Sequence, residues 1–191
     1  MSAVRILVIS GSLREGSFNQ RLADQAAIFA QEAGAEVTSL KLDAVDLPLY
    51  TPSIELNAFP EGARRLKLSF AEHDGLLIAS PEHNGSIPSA LKNAIDWASR
   101  PTGGETPLAL TAFRGKVAGI MSASPSPFGG LRGLMHLRQI LGTVQALVVP
   151  EQVAVPFAER AFQGSELTDA MAREVLAIMA QRVVTLAGVV R

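Results

Sequence analysis

Residues 10–19, Ser-Gly-Ser-Leu-Arg-Glu-Gly-Ser-Phe-Asn, carry the side chains and the spacing needed to hold a phosphate. Ser12, Ser17 and Asn19 supply hydroxyl and amide donors, and Arg14 supplies a planar, permanent cation suited to two-pronged contact with phosphate oxygens. The segment follows the apolar, β-branched run Val4-Arg5-Ile6-Leu7-Val8-Ile9. It precedes a stretch in which Leu22, Ala26 and Phe29 recur with helical spacing. A strand that passes through a small-residue loop into a helix offers free backbone N–H groups and the positive end of the helix dipole. Gly11 and Gly16 do not match the Gly-x-Gly-x-x-Gly dinucleotide spacing, and no Gly-Lys-Ser/Thr ending follows, which disfavours a Walker-type ATPase. Two readings stay open: a mononucleotide phosphate site, or a turn whose Ser and Asn merely cap the helix. Arg14 favours the phosphate, because a cap needs no cation.

A second constellation is Ser80-Pro81-Glu82-His83-Asn84-Gly85-Ser86-Ile87-Pro88. Asn84-Gly85 tolerates positive φ and predicts a tight turn whose backbone can hydrogen-bond the polar edge of a flat heterocycle. An ordinary turn before a helix is the alternative. In the helix that follows, Leu91, Ala94 and Ile95 share one face, Lys92 and Asp96 form a structural i,i+4 pair, and Trp97 packs in the core or at an interface. A third segment, Ser122-Ala123-Ser124 followed by Gly129-Gly130, is again built from small residues.

The elements that position these segments alternate along the chain. Strands are expected at 5–10, 36–40, 75–80, 116–122 and 143–149, and helices at 17–33, 60–72, 88–99, 130–141 and 168–190. Such βαβα alternation predicts a parallel sheet with helices on both faces. Ligands of such sheets sit beyond the carboxyl ends of the strands, which here means loops 10–19, 80–87 and 122–133. Segments 46–60 and 101–114 read as long loops.

A chain of 191 residues suits one core, and a single domain over 1–191 is expected. A net charge of −1 provides no field for nucleic acid or an anionic membrane, and Arg64, Arg65 and Lys67 read as a solvated helix face. Cysteine is absent, which removes disulfides, thiolate nucleophiles and Cys-bound metals. A cytoplasmic location fits. The short apolar start does not read as a signal peptide, and 175–190 reads as a core helix rather than a membrane span. His73 and His136 lack metal-ligand spacing and read as surface or capping residues. A serine hydrolase built on Ser12 would need a His near a later strand end, and none follows His136.

The motifs Gly-Ser-Leu-Arg-x-x-Ser-x-Asn and Pro-Glu-His-Asn-Gly-Ser-Ile-Pro-x-x-Leu-Lys-Asn-Ala-Ile-Asp-Trp together resemble the NAD(P)H-dependent FMN reductase family, across roughly residues 4–185. The family includes flavin, quinone, chromate and azo-dye reductases. The resemblance implies a flavodoxin-like three-layer α/β sandwich with a five-stranded parallel sheet of order 2-1-3-4-5. It implies that Ser12, Arg14, Ser17 and Asn19 hold the FMN phosphate and that Pro81, Glu82, His83, Asn84 and Gly85 border the isoalloxazine and ribityl chain. Ser122, Ser124, Gly129 and Gly130 would lie along the other margin of the ring. No protein side chain is then expected to be catalytic, since the flavin carries the chemistry. Hydride would come from NAD(P)H, with NADPH favoured, and leave to a small-molecule acceptor in ping-pong fashion. A homodimer or homotetramer is implied. The alternative is a flavodoxin-like electron carrier without efficient NAD(P)H turnover. One departure stands out: the family commonly has Tyr where this chain has His83, so either the imidazole alters the site or the backbone there does the work.

Overall fold

The structure, a computed structural model, describes residues 2–191. In chain order the elements are β1 (Arg5–Ser10), α1 (Phe18–Glu32), β2 (Glu36–Lys41), α2 (Pro52–Asn57), α3 (Glu61–Ala71), β3 (Gly75–Ala79), α4 (Ser89–Ala98), β4 (Val117–Ala123), α5 (Leu131–Thr143), β5 (Leu147–Val155), α6 (Ala158–Ala161), β6 (Phe162–Gln163), β7 (Glu166–Leu167) and α7 (Ala170–Val190). The main sheet is parallel, with strand order β2-β1-β3-β4-β5. The expected flavodoxin-like topology is thus present.

The two-residue period of the strands builds the layers. Along β1, Ile6 and Val8 face one side of the sheet, where they join Leu77, Met121 and Val153 against Leu22 and Ala26 of α1 and Met179 and Val183 of α7. Leu7 and Ile9 face the other side. There, with Leu76, Ile78 and Ile120, they meet Leu66 and Phe70 of α3, Leu91 and Ile95 of α4, and Leu134, Leu137 and Leu141 of α5. Each such Val, Leu, Ile, Met or Phe side chain contributes about 1.5–3 kcal/mol on burial, so the helices are held by the sheet itself. Helix α2 is the exception. It buries no residue and relies on the Thr51 hydroxyl, which accepts from the Ile54 N–H at 3.2 Å.

Most element boundaries fall within one or two residues of expectation, but the last strand does not. The sequence reading put it at 143–149, whereas α5 runs through Thr143 and β5 spans Leu147–Val155. Pro150, Glu151 and Gln152 interrupt the apolar run and conceal the second half of the strand. They are tolerated because β5 is an edge strand whose pairing shifts register here, from Ala118↔Val148 to Ile120↔Gln152. The 46–60 segment, expected as loop, contains α2. The short elements α6, β6 and β7 gave no sequence signal.

The structure corrects one further reading and narrows two. Lys67 is not on a solvated face: it is 4% exposed, donates to Arg100 O at 2.8 Å and pairs with Glu105. That contact pins the 101–114 loop to α3, and Thr102 N–H and the Thr111 hydroxyl also donate to Glu105. Trp97 is fully buried, with Nε1 donating to Pro48 O at 2.7 Å and Tyr50 and Phe59 edge-on against its ring, so of its two expected roles it takes the one in the core. His73 is buried at the end of α3, with Nδ1 2.5 Å from Ser69 O. The Lys92–Asp96 pair forms as expected. Among the described residues no helix is long and apolar enough to cross a membrane.

Candidate functional site

The first loop leaves β1 and is shaped by its own serines. Ser10 Oγ accepts from the Ser12 N–H and Ser12 Oγ from the Arg14 N–H, each at 3.3 Å, and Ser17 Oγ caps α1 by accepting from the Asn19 N–H at 3.2 Å. A hydroxyl that accepts still has a proton to donate, so Ser12 and Ser17 remain donors toward a ligand. Among the described residues the N–H groups of Leu13, Glu15 and Gly16 find no acceptor. The exposed Arg14 guanidinium likewise makes no hydrogen bond or ion pair there. Beside this loop lies a cavity of about 460 Å³ lined by Ser12, Gly16 and Ser17, by the cations Arg14, Arg21 and Lys41, and by the carboxylates Glu15, Asp24 and Asp43. Free N–H donors, hydroxyls and an unpaired guanidinium at a helix start form a donor set that fits a phosphate ester.

Asn19 sits differently from its neighbours. It is buried, its Nδ2 donates to Ala123 O at 2.8 Å, and its Oδ1 accepts from Ala123 N–H at 3.0 Å. The amide therefore ties the start of α1 to the end of β4, joining the first and third loops.

The second loop forms a tight hairpin turn. His83 and Ser86 exchange two backbone hydrogen bonds, with His83 N–H donating at 2.8 Å and Ser86 N–H at 3.0 Å. Asn84 and Gly85 hold φ of 51° and 78°, the signature of a type I′ turn, which explains why these residue types stand here. The His83 and Asn84 side chains are exposed. Glu82 turns inward instead: its side chain is 7% exposed, Arg132 Nε donates to Oε1 at 2.8 Å, and Gly133 N–H donates to Oε2 at 3.1 Å. Burial pushes the Glu82 carboxyl up, but the Arg132 and Gly133 hydrogen bonds and the Arg132 charge outweigh it and hold the group below its ordinary range. Glu82 is thus kept ionised as a brace between this loop and α5.

The third loop packs against α5. Ser122 is fully buried, and its hydroxyl has no hydrogen-bond partner among the described residues. Gly130, at φ 86°, caps α5 directly over it, and a Cβ there would overlap Ser122 Oγ and stand 2.7 Å from Ser122 Cβ. Gly129 approaches the chain at Val155–Pro156 so closely that a Cβ would lie 2.8 Å from backbone atoms. Ser124 pairs with Ser126, its Oγ donating at 3.1 Å and accepting from the Ser126 N–H at 3.2 Å.

The structure therefore brings all three loops to the carboxyl edge of the sheet, at the point where strand order reverses beside β1. It divides the sequence-derived candidates into two groups. Ser12, Arg14, Ser17 and the 83–85 turn keep groups free for a ligand. The Asn19, Glu82 and Ser124 side chains are hydrogen-bonded within the protein, Gly129 and Gly130 sit at close approaches, and the buried Ser122 hydroxyl has no partner among the described residues. Arg132 as the partner of Glu82 escaped the sequence reading, and His136, expected as a surface or capping residue, is exposed with its Nδ1 2.9 Å from Ser86 Oγ. Their i,i+4 spacing on α5 was legible, but nothing in the sequence linked that face to residues 82 and 86.

Comparison with known proteins agrees with this geometry. The family model described as NADPH-dependent FMN reductase matches residues 4–160. The chain is 40% identical over 176 residues to an NAD(P)H-dependent FMN reductase of Pseudomonas aeruginosa, covering 91% of this chain and 89% of that protein. It is 40% identical over 141 residues to a 2-hydroxy-1,4-benzoquinone reductase of a Burkholderia species, covering 72% and 70%. Among solved structures it is similar to a flavoenzyme NAD(P)H:(acceptor) oxidoreductase of Paracoccus denitrificans, with a TM-score of 0.81, 28% identity, and 98% and 99% of the two chains covered. A loop with a phosphate donor set at the first strand end, a type I′ turn at the third, and a match over most of the chain lead to one conclusion: the protein belongs to the NADPH-dependent FMN reductase family, a family of oxidoreductase enzymes.

Proposed function

We propose that the protein is an FMN-dependent NAD(P)H oxidoreductase that delivers electrons to quinone-type acceptors. The observation that carries this reading is the first loop: unpaired Leu13, Glu15 and Gly16 N–H groups, the Ser12 and Ser17 hydroxyls and an unpartnered Arg14, beside the backbone turn at 83–86. Arg14 and the free N–H groups would hold the FMN phosphate, and the Asn84–Gly85 backbone would meet the polar edge of the ring. When bound, FMN supplies the redox chemistry, accepting hydride from NAD(P)H and giving electrons to the acceptor in a separate half-reaction. The protein's share is binding, orientation and a fixed electrostatic setting. Glu82 acts as no proton donor, since its carboxylate is committed to Arg132 and Gly133.

The Burkholderia relative, named for a benzoquinone, supports quinones as the acceptor class. NADPH is the favoured donor, supported by the family description. Exposed Leu49, Leu56 and Leu108 on the 46–60 and 101–114 segments support a homodimer or homotetramer, which a light-scattering mass checks.

The deciding experiment starts from the visible spectrum of the purified protein reconstituted with FMN. Flavin bands should appear, bleach anaerobically on NADPH, and return on adding a benzoquinone, and initial rates should give parallel double-reciprocal lines. A protein that takes up no FMN overturns the proposal. One that binds FMN but is not reduced by NADPH or NADH is an electron carrier.

A further inference from the structure

Helix α5 meets the hairpin turn at both of its ends. Arg132 binds Glu82 on the way in, and His136, one helical turn later, lies 2.9 Å by Nδ1 from the Ser86 hydroxyl on the way out. Between them Gly133 lets the helix seat the loop: its N–H reaches Glu82 Oε2 at 3.1 Å, and a Cβ there would lie 3.2 Å from Ser86 O. The residues left between these two anchors are His83, Asn84 and Gly85, whose side chains are exposed or absent and whose fold depends on the paired 83 and 86 backbone bonds. An exposed imidazole has no packing duty here, and Ser86 has no other side-chain partner among the described residues.

We propose that Arg132 and His136 are positioning residues that clamp the 82–86 turn from α5, and so fix how its Asn84–Gly85 backbone is presented to the flavin. The proposal rests on the FMN reading for its ligand, whereas the clamp itself belongs to the protein alone. Because α5 starts at Gly130 over Ser122, the clamp also makes the second and third loops one unit. Reduction of FMN alters hydrogen-bonding demand along the ring edge, so a turn held at both ends discriminates between oxidised and reduced cofactor better than a loose one.

The test uses His136→Ala, Ser86→Ala, the double variant and the conservative His136→Asn, which keeps a nitrogen donor near the hydroxyl. Hydrogen exchange at the amides of 83 and 86 is read on the FMN-free protein. The midpoint potential and visible absorbance are read after FMN loading. In His136→Ala and Ser86→Ala alike, exchange should quicken about threefold to tenfold, the scale of one net hydrogen bond. The double variant should be no faster than either single, and the potential and flavin absorbance should shift together in all three. His136→Asn should restore part of both. Unchanged exchange in His136→Ala overturns the clamp. Faster exchange with an unmoved potential and spectrum shows a purely structural contact and overturns the positioning role. A wild-type protein that takes up no FMN overturns the positioning role together with the FMN reading, and it differs from clamp failure, in which wild type is yellow and the variants match it.

Discussion

Substituting Gly130 by alanine tests the close approach of the third loop to α5. Two costs add. At φ 86° an alanine sits in the left-handed region, at about 1–2 kcal/mol. Its Cβ would also overlap Ser122 Oγ and stand 2.7 Å from Ser122 Cβ, and because rotating the buried Ser122 side chain moves Oγ but not Cβ, backbone must shift at about 1–3 kcal/mol. Gly130→Ala should therefore lose about 2–5 kcal/mol, a large share of the roughly 5–15 kcal/mol typical of a domain. The companion Ser122→Gly removes the contact but not the φ strain. In that background Gly130→Ala should cost only about 1–2 kcal/mol, leaving a coupling of about 1–3 kcal/mol between the two sites. Urea unfolding of the four proteins without FMN measures it, with FMN uptake as the second readout. A loss below about 0.5 kcal/mol for Gly130→Ala, or an equal loss in both backgrounds, would refute the reasoning.

Asn19→Ala should cost about 2–4 kcal/mol in chemical denaturation, since it leaves the buried N–H and C=O of Ala123 unpaired; a cost under about 1 kcal/mol would show that water replaces the amide. Arg14→Ala should leave the thermal midpoint unmoved, because the guanidinium touches nothing, yet weaken FMN binding about tenfold to a hundredfold by fluorescence titration; equal affinity would remove Arg14 from the phosphate site. Glu82 and Glu105 are both held below the ordinary glutamate value of 4.5, in each case by hydrogen bonds that outweigh burial. Their stabilisation is complete above the unfolded carboxylate range and is lost as pH falls through the lowered folded values, so unfolding free energy should fall below about pH 4.5. Glu82→Gln and Glu105→Gln should each flatten that acid limb, and a limb unchanged in both would assign it to other carboxylates.

The layers were legible because apolar runs and helical spacing encode burial directly, as Leu76, Leu77 and Ile78 show by their complete burial, whereas the strand order was an expectation carried by the family resemblance alone. β5 was misplaced because an edge strand with shifted register accepts Pro150, Glu151 and Gln152, which a buried strand would not. Loop chemistry was legible where the local chain alone dictates it. Asn84-Gly85 announces a type I′ turn, and Ser17 announces a cap two residues before Asn19. Contacts between distant segments were not. Lys67 looks like a surface lysine until Glu105 arrives over it, and the engagement of the Asn19 amide by Ala123, far along the chain, has no local signal. A side chain's type states what it can bind; only the fold states which partner reaches it first.

The division between free and committed groups has a functional consequence. Polar side chains near the site are largely spent on the protein: Asn19 on Ala123, Glu82 on Arg132 and Gly133, Ser124 on Ser126. What remains for a ligand is the N–H groups of 13, 15 and 16 and the turn at 84–85, together with the Ser12 and Ser17 hydroxyl protons and the Arg14 and Lys41 cations, which have no partner among the described residues. Backbone donors fixed by such braces lose little freedom when a ligand arrives, so the ordering cost falls on folding rather than on binding. The same arrangement bears on His83: its imidazole is exposed, and the 83–86 backbone pair, anchored on either side by Glu82 and Ser86, sets the shape of the turn. Replacing His83 by Tyr should thus change the flavin potential more than the affinity for FMN, whereas loosening an anchor should change both.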